Sequence, residues 1–187
     1  MNEKYGINKK LDYLVNDYFS TCGVAVFIKG DFLYYGYVGD CGIRIYDKND
    51  FFKFISIDDV EPLEEWLDNQ KFKSEKEHWI TWRKVLRNKP KAPYLTYGVF
   101  TGEPEAKDYY HFGKIKLQKG DLSFLYSDGF LYFIQKPEFR KLFRIFKKNQ
   151  LLREVNKFIK KEINLKHKIK ENSELLLDDK TLISILI

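Results

Sequence analysis

Two acidic loops carry the residues best suited to chemistry. Asp128 directly follows an apolar, strand-like run in Leu-Tyr-Ser-Asp-Gly-Phe, and Asp178 and Asp179 directly precede another in Leu-Leu-Leu-Asp-Asp-Lys-Thr-Leu-Ile. A carboxylate at a strand end is held rigidly while its oxygens still face water. Gly129, next to Asp128, lets the backbone turn sharply and a ligand approach closely. Clustered carboxylates repel one another unless a cation lies between them, and hard oxygen ligands favour Mg2+ or Mn2+. The same residues also read as ordinary structure, since Asp-Gly is a common turn dipeptide and Asp178-Asp179 fits a solvated loop.

The other reactive residue types carry less. His78, His111 and His167 fall on different elements, and no two have metal-ligand spacing, which argues against zinc. Cys22 and Cys41 flank the first hairpin, within reach of one another, and without a Cys-x-x-Cys context they read as a reduced pair. Trp66, Trp79 and Trp82 read as core or interface anchors rather than a ligand box. Tyr97-Gly98 and Thr101-Gly102 read as a substrate-side loop or, equally, as a plain strand with turns. Residues 140–170 hold twelve Lys or Arg against two Glu, a local +10 that leaves −4 for the rest of a chain whose net charge is +6. Such a run invites a nucleic-acid or acidic-membrane reading. The blander reading is two amphipathic helices with solvated Lys faces, because Phe139, Leu142, Phe143, Phe146, Leu151, Val155 and Ile159 keep an apolar stripe beneath the charges. Base-stacking aromatics interleaved with those lysines are not evident, so nucleic acid is disfavoured as a partner.

Positioning these residues requires the following elements. Leu11, Leu14, Val15 and Tyr18 share one helical face, which predicts a helix over residues 8–18. Four β-rich runs follow, at residues 23–29, 32–38, 43–46 and 51–57, separated by the turn signals Gly30-Asp31, Gly39-Asp-Cys-Gly42 and Asp47-Lys-Asn-Asp50. They predict one antiparallel meander. Residues 58–93 change character. Ser74-Glu-Lys-Glu77 fits a capping box, Trp79, Trp82, Arg83 and Leu86 continue a helix, and Asn88-Lys-Pro90 ends it. Strands are predicted again over residues 94–100, 109–117 and 122–126. Ser127-Asp-Gly129 then makes a sharp loop, residues 130–134 follow, and Pro137 opens the first of two helices. The last seven residues form an apolar, β-branched strand. The pattern is α+β, an antiparallel β-sandwich flanked by helices.

The 187 residues suit one domain spanning residues 1–187, with the helical insertion around residues 58–93. Hydrophobic residues at 44% and charged residues at 32% exclude a disordered chain. Sixteen Phe, 13 Tyr and 3 Trp provide ample core material. No apolar run reaches the ~20 residues that span a bilayer, and the N-terminus has no signal-peptide core. Two Cys exclude a disulfide-stapled scaffold and favour a cytoplasmic location.

Segment order sharpens the acidic loops. A strand hairpin ending in Val-Gly-Asp, then Lys-Gly-Asp-Leu-Ser-Phe-Leu-Tyr-Ser-Asp-Gly-Phe, then a terminal Asp-Asp-Lys-Thr-Leu-Ile-Ser-Ile resembles the metal-dependent protein phosphatases, the PPM or type 2C family. That family has Gly-Asp-Ser-Arg after a hairpin, Ser-Asp-Gly after a hydrophobic strand, and Asp-Asn-x-Thr before its final strand. Here Gly39-Asp40 matches the first motif with Cys41-Gly42 in place of Ser-Arg. Ser127-Asp128-Gly129 matches the second throughout. Asp178-Asp179-Lys180-Thr181 matches the third with Asp179 in place of Asn, a form similar to the bacterial branch related to the sporulation phosphatases. The resemblance runs from about residue 10 to the C-terminus.

It implies two Mn2+ or Mg2+ ions sharing a bridging water or hydroxide, which attacks the phosphorus of phosphoserine or phosphothreonine in line. It implies Asp128 and Asp178 as direct metal ligands, with Asp40, Gly129 and Asp179 supporting them. The family's first two strands, with an Arg, an acidic pair and an Asp-Gly motif, have no counterpart before Gly23, so the expected domain lacks its N-terminal part. The first expectation is therefore phosphoprotein hydrolysis. The second is a non-catalytic, phosphatase-like binding module that engages a protein partner or a second copy through an exposed sheet edge. The third is nucleic-acid binding through residues 140–170.

Overall fold

The computed structural model describes residues 19–169 and 180–187. The helix predicted over residues 8–18 lies outside the described residues, as do Asp178 and Asp179. The chain divides into two compact units interleaved in sequence. One takes the residues through Cys41 and Ile57–Ile115, and the other takes Gly42–Ser56 and the residues from Lys116 onward.

In the first unit β1 (Gly23–Lys29) and β2 (Phe32–Val38) form an antiparallel hairpin with Val26 opposite Tyr35 and Val24 opposite Tyr37. Gly30, at φ +56°, makes the tight turn that other residues adopt reluctantly. β5 (His111–Lys116) hydrogen-bonds to the other side of β2, giving the sheet order β1-β2-β5. Helices α1 (Glu61–Asp68) and α2 (Glu75–Ile80) follow the hairpin region, and a π-helix (Thr81–Leu86) extends α2. The capping motif is realised with its second bond offset by one residue: Ser74 Oγ accepts from Glu77 N–H at 3.2 Å, while the Glu77 carboxylate reaches past the N-cap and accepts from Lys73 N–H at 2.6 Å. Val60, Leu63, Leu67, Leu86, Tyr97 and Val99 form this unit's core.

In the second unit the sheet order is β4-β3-β6-β7, antiparallel throughout: β4 is Phe52–Ile55, β3 Gly42–Tyr46, β6 Leu122–Tyr126 and β7 Leu182–Leu186. All five residues of β6 are buried, which is why this strand reads as a mostly apolar run, broken only by the small Ser123, rather than an alternating one. A short helix α3 (Leu131–Ile134), then α4 (Pro137–Ile145) and α5 (Lys148–Ile169), complete the unit. Tyr46, Leu122 and Phe124 pack with Phe133, Phe139, Phe143 and Val155, joined by Leu142, Leu151 and Ile159. Apart from Phe146, the apolar stripe read beneath the charges of residues 140–170 is thus a core face.

The structure corrects three expectations. The four-run meander is not one sheet, because β1-β2 joins β5 whereas β3-β4 joins β6 and β7. Residues 94–100 are not a strand. They make only the isolated bridges Arg87–Tyr97 and Thr21–Phe100, and the Asn88 side chain takes up the backbone N–H of Val99 at 3.1 Å. The basic helices are not uniformly solvated either. Arg140 is buried, and Arg144 donates to the carbonyls of Gly120 and Asp47, both at 2.6 Å. Antiparallel sheets with flanking helices nonetheless make the fold α+β. Among the described residues, no helix is long and apolar enough to cross a membrane.

Candidate functional site

The Ser-Asp-Gly motif begins where β6 ends. Burial of Leu122, Phe124 and Tyr126 fixes the strand, and Phe130 and Phe133 anchor the chain again just beyond it. Between these anchors Asp128–Phe130 makes one 3-10 turn: Phe130 N–H donates to the Ser127 carbonyl at 3.0 Å, and Leu131 N–H donates to that of Asp128. Asp128 Oδ1 accepts from the Gly129 N–H at 2.8 Å, which orients the carboxylate while Asp128 stays partly exposed.

The same strand end is tied to the start of β7. Tyr126 stands opposite Leu182 in the ladder. One step further, Ser127 N–H donates to the Thr181 carbonyl at 3.1 Å, and Thr181 N–H donates to Ser127 Oγ at 3.0 Å. The chain therefore leaves β6 through Ser127-Asp128 and enters β7 through Lys180-Thr181 at one end of the four-stranded sheet. A fully buried central strand with its ends clamped this way gives Asp128 a rigid base, and a carboxylate is a suitable ligand for a hard divalent cation. Among the described residues, no group of three or more His, Cys, Asp or Glu is arranged to hold a metal ion.

Asp40 belongs to the first unit, whereas Asp128 and the Gly129 beside it belong to the second. Asp40 follows Gly39, whose φ of +80° makes the turn and against which the Cys22 sulfur packs. Cys22 and Cys41 are free thiols. Burial, and then a hydrogen bond to the Asp40 carboxylate, push the Cys22 thiol up to about 12. Cys22 is therefore held as the protonated thiol beside Asp40. Asp58 lies in the same unit. Burial raises its carboxyl above the usual range, although the N–H groups of Val60 and Glu61, at 2.8 and 3.2 Å, oppose that rise.

One pairing has no sequence signal. His111 Nε2 lies 2.7 Å from Asp59 Oδ2, and the imidazole stacks on Tyr37 at 4.7 Å between ring centroids. The partners are 52 residues apart in the chain, His111 on β5 and Asp59 in the bend before α1, so only the tertiary fold brings them together. Tyr97-Gly98 and Thr101-Gly102, read as a loop or a strand, lie in the first unit around the buried Asn88.

Neither a family model nor a curated protein matches the sequence. Solved structures do match the fold. The chain is similar to the S. agalactiae serine/threonine phosphatase at 16% identity, over 100% of this chain and 66% of that one, with a TM-score of 0.55. It is similar to the Mycobacterium tuberculosis serine/threonine phosphatase PstP/Ppp at 14% identity, over 89% and 60%, with a TM-score of 0.50. It also aligns with the catalytic domain of the serine threonine protein phosphatase PstP in complex with two manganese ions at 15% identity, over 88% and 57%, with a TM-score of 0.49. The chain thus spans less than two thirds of the length of each. The fold is that of the PPM-type serine/threonine phosphatases.

Proposed function

We propose that this chain is a metal-dependent phosphatase domain acting on phosphoserine or phosphothreonine in proteins, with Asp128 and Asp178 as the metal-binding carboxylates. The observation that carries the reading is the clamp between Ser127 and Thr181. It joins the strand ends of the Ser-Asp-Gly and Asp-Asp-Lys-Thr motifs on a PPM-type fold. The donor chemistry of Asp128 suits Mn2+ or Mg2+, since its carboxylate offers hard oxygens from a fixed turn. A divalent ion held there would lower the pKa of an adjacent water and offset charge on a phosphoryl group. The chain's own part is positional. Gly129 N–H orients Asp128, Ser127 locks β7 to β6, and buried Phe130 and Phe133 stop the loop from shifting.

The test measures Mn2+ binding by calorimetry and Mn2+-dependent hydrolysis of a phosphothreonine peptide. Both are expected in the native chain and lost in Asp128→Asn with the unfolding transition retained. A chain that neither binds Mn2+ nor turns over the peptide refutes the proposal. One observation favours a second reading, a non-catalytic phosphatase-like binding module. β1 is an edge strand of the described three-stranded sheet, and that sheet leaves Phe27 63% and Phe112 81% exposed. That reading predicts a dimer or a captured partner in sedimentation, with no turnover.

A further inference from the structure

We propose that a second site, remote in chemistry from Asp128, binds a small organic polyanion of the nucleotide class in the cavity between the π-helix and the 3-10 helix Pro104–Tyr109 of the first unit. The cavity has a volume of about 840 Å³, within the range of small-molecule sites. Four lysines line it from three segments: Lys84 from the π-helix, Lys89 and Lys91 from the loop after it, and Lys107 from the 3-10 helix. All four residues are exposed, and none forms an ion pair with a described carboxylate. Lysines that share the wall of one cavity repel one another and are relieved by a multiply charged anion.

The walls are fixed rather than loose. Asn88, only 1% exposed, takes the left-handed conformation at φ +52° immediately before Lys89. Its Nδ2 donates to the Val99 carbonyl at 3.2 Å, Thr101 Oγ1 at 3.0 Å and Glu103 Oε2 at 2.8 Å, and its backbone N–H donates to the Tyr97 carbonyl at 2.8 Å. A non-glycine residue held at positive φ by this many bonds marks a loop whose shape is specified. Thr96 Oγ1 ties the far side of the loop back to the Lys89 carbonyl at 3.3 Å.

Two features narrow the ligand from any polyanion to a nucleotide. Half-exposed Tyr94 lines the cavity beside Pro90 and Pro104, an aromatic residue on which a base can stack. Glu105 and Asp108 also line the cavity. Their carboxylates would repel a continuing phosphate chain but accept hydrogen bonds from ribose hydroxyls or a base amino group. A discrete polyphosphate with a planar, donor-bearing body meets all three demands.

Calorimetric titration of the full chain with ATP and with inorganic triphosphate, in EDTA and low salt, tests this. Chelation keeps binding from running through a metal at Asp128, so failure here is separable from failure of the phosphatase proposal. Both probes should bind saturably at one site, with ATP tighter and both weakened by added salt. The double variant Lys89→Glu, Lys91→Glu should weaken each probe about tenfold or more, as loss of charge-assisted bonds implies. Tyr94→Ala should bring ATP down to the affinity of triphosphate and leave triphosphate unchanged. Absence of saturable binding, binding unaffected by the lysine reversals, or equal affinity of the two probes in the native chain overturns the proposal.

Discussion

Replacing Arg140 with Met tests how much one buried cation, bridging Asp50 and the end of α3, contributes to the stability of the second unit. The Arg140 guanidinium is 7% exposed and grips Asp50 in a bidentate pair, with Nε–H donating to Oδ1 at 2.8 Å and Nη2–H donating to Oδ2 at 2.5 Å. Its Nη1 donates to the carbonyls of Ile134 and Gln135 at 2.9 and 2.7 Å, which closes the end of α3, and its Cζ lies 4.1 Å from the Tyr46 ring centroid. Breaking a fully buried ion pair costs about 3–5 kcal/mol. Here the loss should be smaller. Asp50 is 28% exposed and can rehydrate in part, the Ile134 carbonyl keeps the Tyr46 hydroxyl at 3.2 Å, and Gln135 is exposed to water. Met also refills the apolar volume over Tyr46. The expected loss is about 2–3 kcal/mol, below that buried-pair range. In a chain of this size each kcal/mol lowers Tm by about 2–4 °C. Urea unfolding of the native chain, Arg140→Met, Asp50→Asn and the double variant measures it. The double variant should be less destabilised than the sum of the singles, because the stranded carboxylate is gone. A loss below about 1 kcal/mol, or strict additivity, would refute the reasoning.

Two further predictions concern protons. Burial and the Asp40 hydrogen bond hold Cys22 at about 12, so its stabilising protonated state persists below the unfolded value of 9.0 and is lost as pH rises toward 12. At pH 8 iodoacetamide should label Cys22 far more slowly in the folded chain than in urea, and Asp40→Asn should narrow the gap. The Glu162 carboxyl is pulled both ways. Burial raises it, but the Lys136 ammonium at 2.8 Å and the Tyr132 hydroxyl at 3.0 Å win and hold it below the usual value of 4.5. That contribution is present above pH 4.5 and disappears as pH falls through the depressed value. Glu162→Gln should therefore flatten the acid limb of stability against pH, measured by urea midpoints between pH 3 and 6.

Local physics made some elements legible. β1, β2 and β6 fall where the sequence pattern put them, because the Gly30-Asp31 turn and a mostly apolar run are decided by neighbours in the chain. The Ser74–Glu77 capping box is legible for the same reason, with both bonds spanning a few residues. The split of the meander was not. Nothing in residues 32–57 says that Gly42 will pair with Tyr126, 84 positions away, rather than continue the sheet of β2. Residues 94–100 have strand composition, yet Asn88 and Thr21 take their backbone groups one at a time. Composition cannot foresee a competing partner of that kind.

The same division runs through the candidate site. The residue types and their order, Ser127-Asp128-Gly129 followed by Asp178-Asp179-Lys180-Thr181, were written in the sequence, because a turn needs its glycine and a hard cation needs its carboxylates. Tertiary structure decided that the end of β6 and the start of β7 meet through Ser127 and Thr181, that Arg140 turns inward to Asp50 instead of joining a basic face, and that His111 finds Asp59. Each of these depends on contacts between segments far apart in the chain. A sequence states which groups are available. Long-range pairing and burial decide which of them are desolvated together, and so which acquire strength and direction.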